Sequence, residues 1–124
     1  MQQGKHDNLS NRLLDFAARI IKLVLKIEKT ATGRVVGGQL VRSATSAGAN
    51  YEEACGGESR ADFIHKMQIV LKELKESVYW LKLTIKSSLI ADAEAQAVLT
   101  EGEELARIIA KSVITAKNNK RAEK

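Results

Sequence analysis

The sequence lacks proline altogether, and its 124 residues include only two Phe, two Tyr and one Trp. Ala, Leu, Lys and Glu are abundant instead, and this composition favours helices over sheets. No apolar run reaches the roughly 20 residues that a membrane-spanning helix needs, and we expect no secretory signal in the polar first ten residues. Because Cys55 is the single cysteine, no internal disulfide can form, and we expect a protein of the reducing cytoplasm.

A strong charge of one sign is also missing from most of the chain. The formal net charge is +5, and most of it comes from the C-terminal end, where Glu123 opposes five basic side chains: Lys111, Lys117, Lys120, Arg121 and Lys124. An apolar fraction of 44% and a charged fraction of 28% are typical of one globular domain. The charge pattern therefore does not make the whole chain a polycation for nucleic acid.

Residue patterns for catalysis and metal binding are missing too. His6 and His65 are the only histidines, so the chain cannot supply a His-rich metal centre. It has no His-Glu-x-x-His motif, no phosphate-binding glycine loop and no nucleophile elbow. The acidic pair Glu73 and Glu76 lacks the Glu-x-x-His partners of di-iron bundles. We expect no catalytic residue, no metal and no cofactor, and a function that rests on binding.

Four segments carry the three- and four-residue periodicity of amphipathic helices. They cover about residues 10–29, 35–54, 59–87 and 93–118, between a polar N-terminal tail and a basic C-terminal tail. The predicted core stripe of the first segment consists of Leu13, Phe16, Ile20, Leu23 and Ile27, and that of the second consists of Val36, Leu40, Ala44, Ala47 and Tyr51. The stripe of the third segment consists of Phe63, Met67, Val70, Leu74, Val78, Leu81 and Ile85. The stripe of the fourth segment is weaker and is interrupted by Gly102; it consists of Val98, Leu105, Ile108, Ile109 and Ala116. Short connections without strand signals predict an all-α, antiparallel up-and-down four-helix bundle in one domain.

Glycines and capping residues mark the predicted connections. Glycines within residues 30–38 predict a break between the first two helices, and Gly56-Gly57 predicts the end of the second. Ser59 and Asp62 resemble a capping box for the third helix. Asp92 is a candidate cap for the fourth.

The second helix carries a recognisable signature. Residues 39–53 read Gln-Leu-Val-Arg-Ser-Ala-Thr-Ser-Ala-Gly-Ala-Asn-Tyr-Glu-Glu. They resemble the pattern Q-L-x-R-[SA]-x-x-S-x-x-x-N-x-x-E of the four helix bundle protein family, also called the 23S ribosomal RNA intervening-sequence protein family. The resemblance continues at residues 59–63, 71–73, 76 and 79–81, and covers about residues 9–113. The chain departs from it at Gly48, where many members have Pro, and at Ala54, where many have Gly.

The resemblance implies a four-helix bundle without enzymatic activity that assembles into ring-shaped homo-pentamers. The same assembly is implied for the related accessory variability determinant proteins of diversity-generating retroelements. Some members are encoded inside ribosomal RNA insertions, and the retroelement relatives bind nucleic acid through a basic surface. For most members the resemblance implies no known function.

A polar strip runs beside the apolar stripe of the second helix. It consists of Gln39, Arg42, Ser46, Asn50 and Glu53, with Glu76 of the third helix as a candidate partner. One interpretation is a ligand site or polar groove. The other is a structural network in which Arg42 pairs with Glu76 or Glu53 and fixes the register of the helices.

Two basic stripes are candidates for nucleic-acid binding. One lies on the first helix and includes Arg12, Arg19, Lys22 and Lys26, followed by Lys29; the other lies on the third helix and includes Lys72, Lys75, Tyr79, Lys82 and Lys86. Because the fourth helix begins with acidic residues, we expect an electrically lopsided molecule whose basic side contacts phosphates. The alternative is that these lysines form ordinary solvated faces.

Ile69 and Trp80 are predicted on the side of the third helix that faces away from the core. Large apolar side chains in that position favour a subunit interface, although the Trp can also cover a neighbouring helix of its own bundle. The leading hypothesis is a homo-oligomer that binds RNA or DNA through basic helix faces and the C-terminal tail. The alternative is a protein-interaction or scaffold module whose partner uses the polar strip or the acidic start of the fourth helix.

Overall fold

The computed structural model describes residues 2–57 and 59–122, with side chains over 8–57 and 59–119. These residues form four helices, which are α1 (Gln2–Val24), α2 (Ala31–Cys55), α3 (Arg60–Lys86) and α4 (Ala93–Ala122), and contain no strand. Consecutive helices pack side by side and α4 also meets α1, so α1 and α3 lie diagonally. The prediction of an all-α fold of four helices is confirmed.

The outer helices extend beyond their apolar stripes. The backbone of α1 is helical from Gln2, where we predicted a polar tail, and α4 continues to Ala122 rather than ending near residue 118. Lys, Arg, Gln and Ala favour helix without needing an apolar contact, so apolar periodicity misses such ends. At its other end α1 stops at Val24, because the amides of Lys26 and Ile27 bond three residues back over 3.0 Å and tighten the chain.

The predicted break at residues 30–38 is wrong, because α2 begins at Ala31. Thr30 caps this helix by accepting a hydrogen bond from the Gly33 amide over 2.9 Å. A Cβ atom on Gly33 would lie 1.6 Å from the Ile27 carbonyl oxygen, and one on Gly37 would lie 2.7 Å from Val24. Gly33 therefore makes room for the turn before α2 and Gly37 for Val24 at the end of α1, and neither interrupts the helix.

The other predicted helix ends are confirmed by their hydrogen bonds. The Ser59 hydroxyl accepts from the Asp62 amide over 3.1 Å and caps α3. The Asp92 carboxylate accepts from the Glu94 amide over 2.8 Å at the start of α4. Gly56 follows the last residue of α2 and donates its amide to the Glu52 carbonyl. Each contact satisfies a backbone group that a helix end leaves without a partner.

The core follows the predicted stripes. Every stripe residue predicted for the first two segments is buried, whereas Phe63, Val78 and Ile85 of α3 and Ile108 of α4 are only half-buried. Gly102 interrupts the stripe of α4 because the ring of Phe16 occupies its place, 3.0 Å from where a Cβ would lie. Between α2 and α3 the buried hydroxyls of Ser43 and Ser77 lie 2.7 Å apart.

Candidate functional site

The basic stripe of α1 faces the acidic start of α4. Arg12 donates from Nε and Nη2 to Glu101 over 3.0 Å and 2.8 Å, and its Nη2 lies 3.2 Å from Glu104. Arg19 donates to Glu94 from Nε over 2.8 Å and from Nη2 over 3.3 Å. The third pair joins Lys26 Nζ to Asp92 Oδ2 over 2.5 Å. We call these pairs the ion-pair ladder.

The ladder changes the titration of its members. The Arg19 guanidinium, by its hydrogen bond, lowers the pKa of Glu94, and the Lys26 ammonium lowers the pKa of Asp92. In turn, the hydrogen bond to Glu94 raises the pKa of Arg19. Arg12, Arg19 and Lys26 of the candidate nucleic-acid-binding stripe on α1 are therefore each paired with an acidic side chain of the same chain. Basic residues of the first helix and acidic residues of the fourth recur at matching intervals in the sequence, but they pair only because α1 and α4 are neighbours in the bundle.

The basic flank of α3 remains open to solvent. Lys72, Lys75, Lys82 and Lys86 are all exposed, with Tyr79 between them at 58% exposure. Lys82 lies 3.7 Å from Glu103 of α4, a long contact for an ion pair. We call these four lysines and Tyr79 the lysine row. Because α1 is diagonal to α3, the two predicted basic stripes do not form one surface.

Trp80 does not face away from the bundle as we predicted. It is half-buried and packs against the core, and its indole N–H donates to Glu76 over 3.4 Å. Its ring meets the edge of the Tyr79 ring, with centroids 5.1 Å apart. Ile69 is half-buried as well. The alternative interpretation, a Trp that covers its own bundle, describes Trp80 better than a free subunit interface.

Arg42 lies between two carboxylates of α3. Its Nη1 is 3.3 Å and 3.2 Å from the two oxygens of Glu73, and its Nη2 donates to Glu76. Its Nε donates to the side-chain oxygen of Gln39 over 3.3 Å. The Arg42 hydrogen bond is the main reason why the pKa of Glu76 is lowered.

The rest of the polar strip is also hydrogen-bonded within the chain. Ser46 donates to Glu73 over 3.0 Å, and the Asn50 amide nitrogen donates to the Ser46 carbonyl over 2.9 Å. Glu53 accepts instead from Lys66 over 2.7 Å. These matched groups fit the structural interpretation of the strip. Glu73, with a side chain only 12% exposed, is the partner of Arg42 that sequence reasoning missed. Helical spacing alone does not show whether Arg42 pairs with Glu73 or with Glu76.

An apolar groove between α1 and α2 was also missed. It is lined by Ser10, Leu13, Leu14, Ala17, Thr45, Gly48, Ala49 and Glu52. Leu14 is 68% exposed, and Ile21 and Leu25 continue its line at 41% and 58%. The signal was present in the sequence, since Leu14 and Ile21 widen the apolar sector of the first helix beyond one neighbour.

Some predicted features offer no site or fall outside the described residues. Cys55 is a free thiol whose pKa is raised by burial, so its reactive thiolate form is disfavoured. The described residues hold no cluster of three His, Cys, Asp or Glu suited to a metal ion, and none of their helices is long and apolar enough to span a bilayer. The side chains of His6 and of Lys120, Arg121 and Lys124 in the basic tail lie outside the described residues.

Comparison with known proteins agrees with the signature of α2. The family model of the 23S rRNA-intervening sequence protein matches residues 8–111. The chain belongs to this family. No relative was found among curated proteins.

A crystal structure from the S23 ribosomal protein family of Bacteroides thetaiotaomicron VPI-5482 has a similar fold and 34% sequence identity. The TM-score is 0.79, and the match covers 85% of this family member and 97% of the other chain. That protein is of unknown function.

Proposed function

We propose that this family member is a non-enzymatic, homo-oligomeric cytoplasmic protein that binds RNA or DNA through the lysine row of α3. The observation that supports binding is the row itself, in which four exposed lysines surround the exposed ring of Tyr79. Lysines attract phosphates without reading sequence, and an exposed aromatic ring offers a base a surface for stacking.

The length of the row suits a nucleic-acid backbone. Lys72 and Lys86 are separated by four helical turns, or about 21 Å. Four point charges on one chain bind weakly at physiological salt. Repetition of the row in an oligomer, five copies if the family resemblance holds, raises the effective affinity through multivalency.

The alternative function is a protein-interaction module without a nucleic-acid role. In that hypothesis the partner binds the polar strip or the acidic start of α4. Both surfaces already have intramolecular partners, in Glu73 and Glu76 for Arg42 and in the ion-pair ladder for α4. A partner would have to displace these contacts, so nucleic-acid binding is better supported.

The test is binding of fluorescent single-stranded RNA, measured by anisotropy from 50 to 200 mM salt. If all four lysines contact phosphates, the logarithm of the binding constant falls with the logarithm of salt with a slope of about −3 per bound chain. Reversal of three charges, Lys72→Glu, Lys75→Glu and Lys82→Glu together, abolishes binding. The matched control reverses three exposed or half-exposed charges elsewhere, Arg34→Glu, Lys66→Glu and Arg107→Glu, and has the same net charge.

Binding that survives the first triple variant, or that both triple variants weaken equally, contradicts the assignment to α3. Light scattering with bulk cellular RNA adds an independent readout. An assembly whose mass rises with RNA at low salt and falls back at high salt agrees with the proposal. An oligomer indifferent to RNA at every salt concentration points to the protein-interaction module.

A further inference from the structure

Tyr79 is the one aromatic ring that this chain presents to solvent. The structure describes all five aromatic side chains of the sequence, and the other four are buried or half-buried: Phe16, Tyr51, Phe63 and Trp80. Tyr79 is 58% exposed and lies at the centre of the lysine row, with two lysines before it and two after it. An exposed ring between cations is the arrangement that single-strand-binding surfaces use.

The Tyr79 ring is supported from one side by Trp80. The two ring centroids lie 5.1 Å apart and the ring planes meet at 78°, a T-shaped contact that leaves at least one face of the Tyr79 ring open. Trp80 itself packs against the core, and its indole N–H donates to Glu76 over 3.4 Å. Because this neighbour is anchored, Tyr79 is restrained without being buried, and less freedom is lost when a ligand covers it.

Two lysines flank Tyr79 within one turn of α3. Lys75 precedes it by four residues and Lys82 follows it by three, so the three side chains lie on one face of the helix. Along the helix axis the two lysines are about 10 Å apart. A nucleotide whose base covers Tyr79 therefore has an ammonium group on each side of it for the phosphates before and after that base.

Two acidic side chains lie beside this part of α3, and both meet a cation. Glu76 accepts from Arg42 as well as from the indole of Trp80. Glu103 of α4 lies 3.7 Å from Lys82 and offsets part of its charge. The other three lysines of the row keep this flank positive, so a phosphate that approaches Tyr79 is attracted to it.

We propose that the lysine row binds single-stranded nucleic acid, with one unpaired base of the strand stacked on Tyr79. This inference rests on the proposed function and adds the class of nucleic acid that the row takes. In a duplex each internal base is paired and stacked between its neighbours, so a base must leave the stack before it can cover Tyr79. A single strand offers the face of a base at a much smaller cost, whatever the identity of that base.

Charge and stacking predict opposite preferences at this surface. A duplex carries about twice the charge per unit length of a single strand, so lysines alone favour the duplex. Stacking on Tyr79 favours the single strand instead. Tighter binding of the single strand is therefore a result that the lysines by themselves do not produce.

The first test compares one short fluorescent RNA strand, alone and annealed to its complement, by anisotropy at the same salt concentration. The wild-type chain binds the strand more tightly than the duplex. Tyr79→Leu keeps an apolar side chain but removes the ring, weakens binding of the strand about tenfold and changes binding of the duplex far less. The salt dependence of strand binding stays the same, because the lysines are intact.

Two further variants serve as controls for Tyr79→Leu. The conservative variant Tyr79→Phe keeps the ring, and with it the preference for the single strand. Val35→Ala shortens another exposed apolar side chain, which is 66% exposed on α2, and changes neither binding constant. Circular dichroism checks that all three variants remain helical.

Trp80 provides an independent spectroscopic readout, because it is the single tryptophan of the chain and contacts the Tyr79 ring. A base stacked on Tyr79 comes close to the indole and lowers its fluorescence. We expect unlabelled single strand to quench Trp80, and a saturating concentration of duplex to leave its emission unchanged. Tyr79→Leu retains this fluorophore and loses the quenching.

Tighter binding of the single strand that requires an aromatic ring at residue 79 supports the inference. Equal or tighter binding of the duplex, with no effect of Tyr79→Leu, overturns it and leaves the proposed binding through lysines intact. Equal losses for strand and duplex in Tyr79→Leu also overturn it, as does a Tyr79→Phe chain that binds as weakly as Tyr79→Leu. Binding of neither strand nor duplex overturns both the inference and the proposed function.

Discussion

At the scale of single residues, glycines of the same helix have different roles. Gly33 of α2 touches the backbone of the preceding turn, because its missing side chain leaves room for the Ile27 carbonyl. A Cβ on Gly48 would meet the Leu13 side chain at 3.9 Å, an ordinary contact distance. The sequence gives no sign of this difference, which arises because Gly33 packs against the turn before α2 and Gly48 faces α1.

We predict that Gly33→Ala and Gly48→Ala change stability in opposite directions. The new methyl group at residue 33 collides with the Ile27 carbonyl, and we expect a loss of about 2–4 kcal/mol in the free energy of unfolding. Gly48→Ala replaces a flexible residue inside a helix without a clash, and we expect a gain of about 0.5–1 kcal/mol. Urea unfolding measures both. Equal effects of the two substitutions would contradict the close contact between Gly33 and the turn that precedes α2.

The buried serines that join α2 to α3 give a second prediction at this scale. Ser43 and Ser77 bond to each other over 2.7 Å, and Ser77 also donates to the Glu73 carbonyl over 3.1 Å. We expect Ser43→Ala or Ser77→Ala alone to cost about 1 kcal/mol. The double variant should cost less than the sum, because neither hydroxyl is then left without its partner. Additive losses in a double-mutant cycle would contradict a direct bond.

At the scale of helices, the four sides of the bundle are held differently. Packed side chains dominate between consecutive helices, whereas the ion-pair ladder bridges α1 and α4. Ion pairs that are partly exposed individually contribute little, and the three pairs form because α1 and α4 are neighbours in the bundle. High salt should weaken them.

The ladder predicts a pH dependence at acid pH. Because Arg19 and Lys26 lower the pKa values of Glu94 and Asp92 in the folded chain, these carboxylates stabilise the fold above their unfolded pKa values of about 4. That stabilisation is lost as the pH falls through the folded pKa values. Unfolding midpoints measured from pH 7 to pH 3 should decline less steeply for Glu94→Gln. The comparison is Glu28→Gln, which removes an exposed carboxylate outside the ladder and should leave the wild-type decline.

At the scale of the whole molecule, the position of Trp80 allows an effect on folding to be distinguished from an effect on assembly. Because Trp80 packs against the core of its own chain, we expect Trp80→Ala to lower the free energy of unfolding by about 2 kcal/mol. The mass of the assembly should stay unchanged at concentrations where the chain is folded. Loss of the oligomer with unchanged stability would restore the original prediction of a subunit interface at Trp80.

The sequence by itself determined the four helices, most of the core and the family. Apolar residues at three- and four-residue spacing, together with caps such as Ser59 and Asp92, are local signals that any four-helix packing must satisfy. The family signature of residues 39–53 can likewise be recognised from one short stretch of sequence. Its polar members are hydrogen-bonded within the chain, although sequence reasoning missed Glu73 as the more buried partner of Arg42.

Only the tertiary structure decided which surfaces remain available for binding. Arg12, Arg19 and Lys26 are a basic stripe in the sequence, but the arrangement of α1 beside α4 pairs each with an acid. Trp80 turns inward for a similar reason, whereas Leu14 and Ile21 stay exposed. Helical periodicity fixes the angle of a side chain about its own helix. It does not fix which neighbour that side chain meets, because this depends on the order in which the helices pack.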